Sequence, residues 1–367
     1  MTMQRIAYLD GWRGLAILFV LLDHFGGIES FNCGALGVEL FFVLSGRLMA
    51  ELLVVKNTPW QTFLWRRFSR IYPALLAFCT IMLIVSNAVP LYPDYAPDVN
   101  RAEYFSAIFF VMNYVAPHLG SVVTLDHTWS LCVEEHAYLL LALLVVIVSR
   151  VRGRDATGQS GASSPHLPNG REGLDQTTTG IAWAAALVGA AMMASGILQA
   201  LFTQQSEHEI FWRSDVRAAS VLIPFALRLL VGQIESHRKA ASLPEWLPTV
   251  AFLIALIVNA ELFPSWLQYS VGTLALALSV NTIDFASASV RSAPNAKWIT
   301  TIGMLSYSLY LWQQPFFKFS DVIGPVAGLA GSVAAAAISY FLIEKPSRAF
   351  LNDLWANRKA SAKIKPL

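Results

Sequence analysis

The stretch YLDGWRGLAILFVLLDHF, residues 8–25, combines an apolar run with charged and titratable side chains. The run extends from Leu15 to Leu22 and is bounded by Arg13 and Asp23, and no small-residue cleavage site follows it. A secretory signal peptide would carry such a site after its apolar core. We therefore predict that this stretch is retained as the first membrane-spanning helix, with ionisable groups inside it.

The chain as a whole has the composition of a membrane protein. Of its 367 residues, 55% are hydrophobic and 14% are charged, and the mean hydropathy is +0.51; soluble domains carry about 25% charged residues. The net charge of +2 lacks the strongly basic balance of a nucleic-acid-binding protein. The three cysteines lie too far apart for a zinc site and leave one thiol unpaired in any disulfide scheme. We expect no nucleic-acid partner and no bound metal.

Apolar runs separated by polar breaks predict about ten spans. A helix needs about 20 mostly apolar residues to cross a bilayer. Such runs fall near residues 12–31, 35–55, 71–90, 128–149, 180–200, 217–235, 247–262, 265–282, 298–316 and 323–343. The run from Tyr104 to Val115 is too short to cross and is expected to be interfacial or re-entrant. The predicted fold class is an all-α integral membrane protein with about ten transmembrane helices.

The distribution of Lys and Arg predicts the orientation, because basic residues near span ends are retained in the cytoplasm. With the N-terminus inside, the predicted outer segments hold only Arg101, Arg213, Arg217 and Lys318 of the 26 basic residues. Both termini are therefore expected in the cytoplasm. Residues 1–348 are expected to form one transmembrane domain, in which 150–179, rich in Gly, Ser, Pro and Thr, form a flexible cytoplasmic loop. Residues 349–367 are expected to form a basic cytoplasmic tail.

Arg13 and His24 are aligned on one face of the first span. They lie eleven residues apart, which at about 100° per residue returns to within roughly 20° of the same face, with about 16 Å between them along the axis. Ionisable groups inside a bilayer are costly and mark functional sites. An extended ligand could hold its charge near Arg13 and react near His24, since histidine is the usual general base. The alternative is a helix end held by satisfied polar groups.

The segment FLWRRFSRIYPALL, residues 63–76, contains an arginine cluster. Arg67 and Arg70 share a helical face at i,i+3, and Arg66 lies one turn from Arg70. Guanidinium groups bind phosphate oxygens bidentately, and the predicted orientation places the cluster at the cytoplasmic side. The cluster therefore predicts a site for a nucleotide-bearing metabolite. The alternatives are a topology signal and contact with anionic lipid head groups.

The segment TWSLCVEEHAYLL, residues 128–140, places Glu134, Glu135 and His136 in the predicted outer half of the fourth span. Carboxylates there are costly, and we expect one of them to orient or polarise the histidine or arginine of the first span. Cys132 and His136 are spaced i,i+4 as a metal-ligand pair could be, but packing on an apolar face is the favoured interpretation. The chain has no GxSxG motif, so a covalent serine mechanism has no support.

Six motifs in chain order resemble those of the membrane-bound acyltransferase family three, bacterial O-acyltransferases that modify polysaccharides and other glycans. They are YLDGWRGLAILFVLLDHF (8–25), GVELFFVLSG (37–46), RRFSRIYPAL (66–75), TWSLCVEEHAYLL (128–140), GMLSYSLYLWQQP (303–315) and YFLIEKP (340–346). The resemblance implies a functional Arg13 with a catalytic His24, and an Arg-x-x-Arg pair, Arg67 and Arg70. It also implies that acyl-CoA is supplied from the cytoplasm and that the acyl group reaches an acceptor hydroxyl on the far side.

The sequence departs from the family pattern at three positions. Gln313 stands where many relatives have histidine, Arg47 follows FFVLSG where an apolar residue is common, and Asp23 directly precedes His24. These departures concern the acceptor more than the donor. Because the chain ends soon after the tenth run, we expect acceptor binding to fall to the bundle itself or to a partner.

The prediction is an enzyme of the inner (plasma) membrane, with several passes through it. It is an O-acyltransferase that moves an acetyl or other short acyl group from cytoplasmic acyl-CoA, most simply acetyl-CoA, to a hydroxyl of an extracytoplasmic glycan. No cofactor is expected to be bound permanently. The expected partners are acyl-CoA, a glycan or lipid-linked saccharide, and membrane lipids. The alternatives are a secondary membrane transporter and a non-catalytic scaffold or sensor.

Each candidate residue receives a role in this prediction. His24 is the general base or, alternatively, a transient acyl carrier, and Arg13 positions the thioester or pantetheine part of the donor. The remaining assignments are phosphate binding by Arg67, Arg70 and Arg66, and tuning of the charged pair by Glu134 or Glu135.

Overall fold

The computed structural model describes residues 7–28, 30–88, 99–119, 124–157, 171–237 and 243–364. These ranges are almost entirely helical, which confirms the predicted all-α class. The β-type pairing within them is a single antiparallel bridge between Phe31 and Ala260.

The helices follow one another with short connections. The first group is α1 (Ala7–Phe25), α2 (Cys33–Met49), α3 (Trp60–Ala88), α4 (Arg101–Ile108), α5 (Met112–Val115), α6 (Trp129–Thr157), α7 (Arg171–Phe202), α8 (Glu207–Phe211), α9 (Ser214–Arg217) and α10 (Ala219–His237). The second group is α11 (Leu247–Val258), α12 (Ser265–Leu267), α13 (Thr273–Thr282), α14 (Ala288–Ser292), α15 (Lys297–Lys318), α16 (Ser320–Ile323), α17 (Pro325–Ser339) and α18 (Lys345–Ile364). Turns of π-helix continue α2 (Ala50–Val55), join α12 to α13 (Gln268–Gly272) and join α17 to α18 (Tyr340–Glu344).

Four helices in the described ranges are long and apolar enough to cross a membrane. They cover Trp60–Ala88, Asp126–Val151, Gln176–Phe202 and Pro325–Lys359, and a fifth candidate, Ser265–Phe285 with Ala288–Asn295, is bent by 109°. A helix is present at each of the ten predicted apolar runs. The number of spans nevertheless stays a prediction, because α1 contains Asp10, Arg13 and Asp23 and α2 has only 17 residues before its π-helical turn.

Two predicted segments are more helical than their composition indicated. In the predicted loop 150–179, α6 continues to Thr157 and α7 begins at Arg171; the expectation of a loop was therefore wrong at both ends, and residues 158–170 lie outside the described residues. The predicted tail 349–367 is helical as far as Ile364, where the described part ends. It packs on α3, with the Trp355 and Trp65 rings stacked at 5.0 Å. The run 104–115 forms α4 and α5, of 8 and 4 residues, which are too short to span.

Three buried arginines are each paired with a carboxylate on another element. Arg47 on α2 lies 2.6 Å from Asp284, Arg228 on α10 lies 2.6 Å from Glu51, and Arg217 lies 2.5 Å from Glu39. The pairs are Arg47–Asp284, Arg228–Glu51 and Arg217–Glu39. Buried charges persist only when they are paired. These pairs therefore fasten α2 to α9, α10 and the turn after α13, and they account for the unusual Arg47.

Glycines allow α1 and α15 to pack in direct backbone contact. A Cβ atom at Gly303 of α15 would lie 1.8 Å from the Asp10 carbonyl oxygen, and one at Gly14 of α1 would lie 2.2 Å from the Ile299 carbonyl oxygen. Close approach through small residues is typical of helix packing in membranes. This contact fixes α1, and with it Arg13 and His24, against α15.

We expect Gly303→Ala to destabilise the protein by about 1 to 3 kcal/mol, because the added methyl group overpacks a backbone contact that cannot yield locally. Gly232→Ala is the matched control, since a Cβ atom there meets nothing within 4 Å. Thermal unfolding of both variants in detergent measures the difference. Equal melting temperatures would contradict the assigned α1–α15 contact.

Candidate active site

Helices α1, α2, α3, α6 and α15 surround a cavity of about 70 Å³, here called the arginine cavity. Its polar lining consists of Arg13, Ser45, Arg67, Arg70, Ser130, Glu134, Ser306, Tyr307 and Tyr310. Three guanidinium groups therefore converge with a single lining carboxylate. The convergence of Arg13 with Arg67 and Arg70 confirms that these three predicted residues form one cluster.

The arginines of this cavity are held by different contacts. The Arg67 guanidinium lies over the Tyr138 ring, 4.6 Å from its centroid, and its Nη2 lies 3.8 Å from the Met49 sulfur. Arg13 Nη1 lies 3.7 Å from Asp10 Oδ1. The charges of Arg67 and Arg70 act on Arg13. Like charges repel strongly where water is scarce, so the cluster is an electrostatic site for an anion.

Arg66 lies apart from the other arginines. Its side chain is exposed and does not line the arginine cavity. The i,i+4 spacing with Arg70 brought the two residues to neighbouring turns, but the helix directs only Arg67 and Arg70 inward. The structure therefore does not join Arg66 to the predicted phosphate site.

Glu134 and Glu135 face different cavities. Glu134 lines the arginine cavity and accepts a hydrogen bond from the Ser45 hydroxyl, which in turn accepts one from Tyr138 at 3.0 Å. Glu135 lines a separate cavity of about 300 Å³ between α3 and α6, with Phe68, Tyr72, Phe110 and His136 among its walls. Neither carboxylate lines the cavity that contains His24. Of the two expected partners of a first-span residue, the structure therefore places Glu134 beside the arginines and separates Glu135 from them.

His24 lies in a second cavity of about 320 Å³, here called the histidine cavity. Its polar lining includes Asp23, Asn32, Asp126, His127, Glu207, His208, Arg217, Gln313 and Gln314. Val38 and Tyr310 line both cavities. The two cavities therefore adjoin, and Arg13 and His24 open onto connected parts of one interior region.

The His24 ring is fixed on several sides. It stacks on Phe317 with ring centroids 4.1 Å apart and planes at 8°, and its Nδ1 is hydrogen-bonded to Gln313 Oε1. Its Nε2 lies 4.0 Å from Asp23 Oδ2. The adjacent acid that the sequence flagged as unusual is thus an electrostatic partner of the histidine.

Sequence reasoning missed a polar cluster beside His24. Asp126 accepts hydrogen bonds from Gln314 at 3.4 Å and from Lys318 at 3.3 Å, and the Tyr310 hydroxyl donates to the His127 carbonyl oxygen at 2.8 Å. The signal that could have indicated it is the pair Asp126–His127 directly before the TWSLC segment. Its partners on α15 are distant in sequence and only the fold brings them together.

Cys132 and His136 have partners other than a metal. The Cys132 thiol lies 3.3 Å from the Thr128 carbonyl oxygen, and His136 Nδ1 lies 2.7 Å from the Ser214 hydroxyl. In the part of the chain that the structure describes, no group of three or more His, Cys, Asp or Glu side chains is arranged to hold a metal ion.

The chain belongs to the family described as "Acyltransferase domain", which matches residues 6–343. It is 23% identical to "Putative peptidoglycan O-acetyltransferase YrhL" of Bacillus subtilis (strain 168), over 93% of this chain and 54% of the relative. It is 23% identical to "Putative O-acetyltransferase SACOL0978" of Staphylococcus aureus (strain COL), over 94% of this chain and 58% of the relative.

A third relative is "Peptidoglycan O-acetyltransferase OatA" of Listeria monocytogenes serovar 1/2a (strain ATCC BAA-679 / EGD-e). It is 26% identical over 93% of this chain and 55% of its own length. The chain thus spans little more than half the length of these curated relatives. No solved structure matches the chain.

Proposed function

We propose that this chain is a membrane O-acyltransferase that moves an acetyl or other short acyl group from cytoplasmic acyl-CoA to a hydroxyl of an extracytoplasmic glycan. The observation that carries the proposal is the pair of adjoining cavities, one with three arginines and one with His24. Membership of the acyltransferase family supports the reaction class. The names of the relatives support an acetyl group and a peptidoglycan-like acceptor.

The arginine cavity fits the donor. Arg67 and Arg70 bind CoA phosphates through charge-assisted hydrogen bonds, and Arg13 binds the pantetheine part. The pantetheine arm then passes Val38 and Tyr310, which line both cavities, and brings the thioester to His24. Glu134 limits the positive charge of the cavity.

The reaction at His24 is a direct transfer. The lone pair on Nε2 takes the proton of the acceptor hydroxyl while the hydroxyl oxygen forms a bond to the thioester carbonyl carbon. The bond between that carbon and sulfur breaks, and the CoA sulfur leaves and takes the proton from His24. Asp23 stabilises the imidazolium that exists between these two proton transfers. The products are an O-acyl glycan and free CoA.

We propose further that the ten helices at the predicted runs cross the inner membrane with both termini in the cytoplasm. They are α1, α2, α3, α6, α7, α10, α11, α12 with α13, α15 and α17. The polar residues that lower the hydropathy of α1 and α15 face the cavities rather than lipid, which is typical of functional helices.

This orientation predicts which single cysteines react with an impermeant thiol reagent. The background has Cys33, Cys79 and Cys132 replaced by alanine, and the test variants are Gln61→Cys at the start of α3 and Gln205→Cys between α7 and α8, both at exposed positions. Only Gln205→Cys should label in intact cells, and both should label once the membrane is opened. The reversed pattern would place the arginines away from cytosolic acyl-CoA and contradict the proposal.

The function is tested by supplying radiolabelled acetyl-CoA to membranes from expressing cells. The proposal predicts a covalent label in the glycan fraction that depends on the protein. A transporter or scaffold would leave the glycan unlabelled, and this result would overturn the proposal.

A further inference from the structure

Gln313 is the hydrogen-bond partner of the proposed base. It is 1% exposed on α15, and its Oε1 contacts His24 Nδ1. Two acceptors fix the orientation of its amide: Gln313 Nε2 donates to the Tyr310 carbonyl oxygen at 3.4 Å and to Gln314 Oε1 at 3.3 Å. The amide oxygen is therefore directed at His24, and an oxygen of this kind can only accept.

The orientation of Gln314 is fixed in the same way. Its Nε2 donates to Asp126 Oδ1 at 3.4 Å. Asp126 is an ion-pair partner of Lys318, whose Nζ lies 3.3 Å from both carboxylate oxygens. An ionised carboxylate offers acceptors only, so Gln314 must present its amide nitrogen to Asp126 and its oxygen to Gln313.

We propose that Asp126, acting through Gln314 and Gln313, holds His24 in the tautomer that carries its proton on Nδ1. The hydrogen bonds run in one direction along this chain, from His24 to Gln313 to Gln314 to Asp126, and a carboxylate at the end prevents reversal. Nε2 is then the nitrogen with the free lone pair. The three residues are positioning residues, and the inference rests on the proposed function only in taking His24 as the base.

The tautomer can be measured without any assay of transfer. In protein labelled with ¹⁵N-histidine and held in lipid bilayers, ¹⁵N shifts distinguish a protonated from an unprotonated ring nitrogen, and His24→Ala identifies the His24 signals. We expect Nδ1 protonated and Nε2 unprotonated in the wild type, and a mixture of both tautomers in Gln313→Leu. A wild-type His24 protonated on Nε2, or a Gln313→Leu spectrum identical to the wild type, would overturn the inference and leave the proposed function standing.

Transfer assays give a second readout. Gln313→Leu should lower kcat about 10- to 100-fold with an unchanged KM for acyl-CoA, because the imidazole is present but wrongly protonated in part of the population. Asp126→Asn alters one polar group and should give a smaller loss, since an asparagine amide can turn either way. Gln268→Leu, at another buried glutamine, should leave both kcat and the tautomer unchanged. A loss in Gln268→Leu equal to that in Gln313→Leu would assign both losses to packing.

Gln313→Glu separates positioning from packing. A carboxylate keeps the acceptor for Nδ1, so we expect most of the activity to be retained. The added negative charge stabilises the imidazolium beside Asp23, Asp126, His127 and Lys318, the charged or titratable groups that act on His24 or are acted on by it. The acid limb of the pH–activity profile should therefore move to higher pH. An unshifted profile in an active Gln313→Glu enzyme would contradict contact between residue 313 and the base.

Discussion

Replacing His24 with alanine is expected to lower acyl transfer by a factor of about 10² to 10⁴, the usual contribution of a general base. The His24 ring stacks on Phe317 and bonds to Gln313 at the wall of a cavity, so its removal enlarges an existing cavity and should leave α1 packed against α15. Transfer is measured with purified protein in proteoliposomes, together with the melting temperature in detergent.

The matched control for this variant is His118→Ala, since His118 is exposed and lines neither cavity. It should retain wild-type activity. If the folded His24→Ala protein transfers acyl groups at the wild-type rate, His24 is neither the base nor an acyl carrier, and the reaction must take place elsewhere in the bundle.

The double variant Arg67→Ala with Arg70→Ala is expected to raise the KM for acyl-CoA by a factor of at least 100. Each charged hydrogen bond contributes about 1.5 to 3 kcal/mol, and these bonds are shared by the bound substrate and the transition state, so kcat should change little. Each single variant should lie between the wild type and the double variant. Initial rates over a wide range of acyl-CoA concentration measure the effect.

Arg66→Ala is the control that the structure supplies. Arg66 is adjacent in sequence, carries the same charge and is exposed outside the arginine cavity, so its removal should leave the KM unchanged. If saturating acyl-CoA fails to rescue the double variant even in part, the arginines do not bind phosphate. A topological role, detected as an altered cysteine-labelling pattern, would then be the better explanation.

Periodicity and charge predicted the part of the site that lies within single helices. Eleven residues of regular helix place Arg13 and His24 on one face whatever surrounds them, and both residues open onto the joined cavities. The spacing of Arg67 and Arg70 has the same local origin. The positions of the helices followed from the apolar runs for the same reason.

The sequence could not predict features that depend on contacts between helices. Glu134 and Glu135 are neighbours on α6 and point about 100° apart, and only the packing of α2 and α3 determines that Glu134 meets the arginines. The partners Gln313 and Gln314 come from α15, far along the chain. The loop 150–179 was misjudged because composition indicates polarity, while the ends of α6 and α7 are helical despite it.

The most direct test of the account uses inverted membrane vesicles, in which the cytoplasmic face is accessible from outside. Radiolabelled acetyl-CoA is added to inverted and to right-side-out vesicles that contain the protein and an acceptor glycan on both sides. The account predicts labelled glycan only with inverted vesicles, with the label on glycan inside them, and none with His24→Ala. Labelled glycan in right-side-out vesicles, or on the same side as the added acetyl-CoA, would contradict transfer across the membrane through the two adjoining cavities.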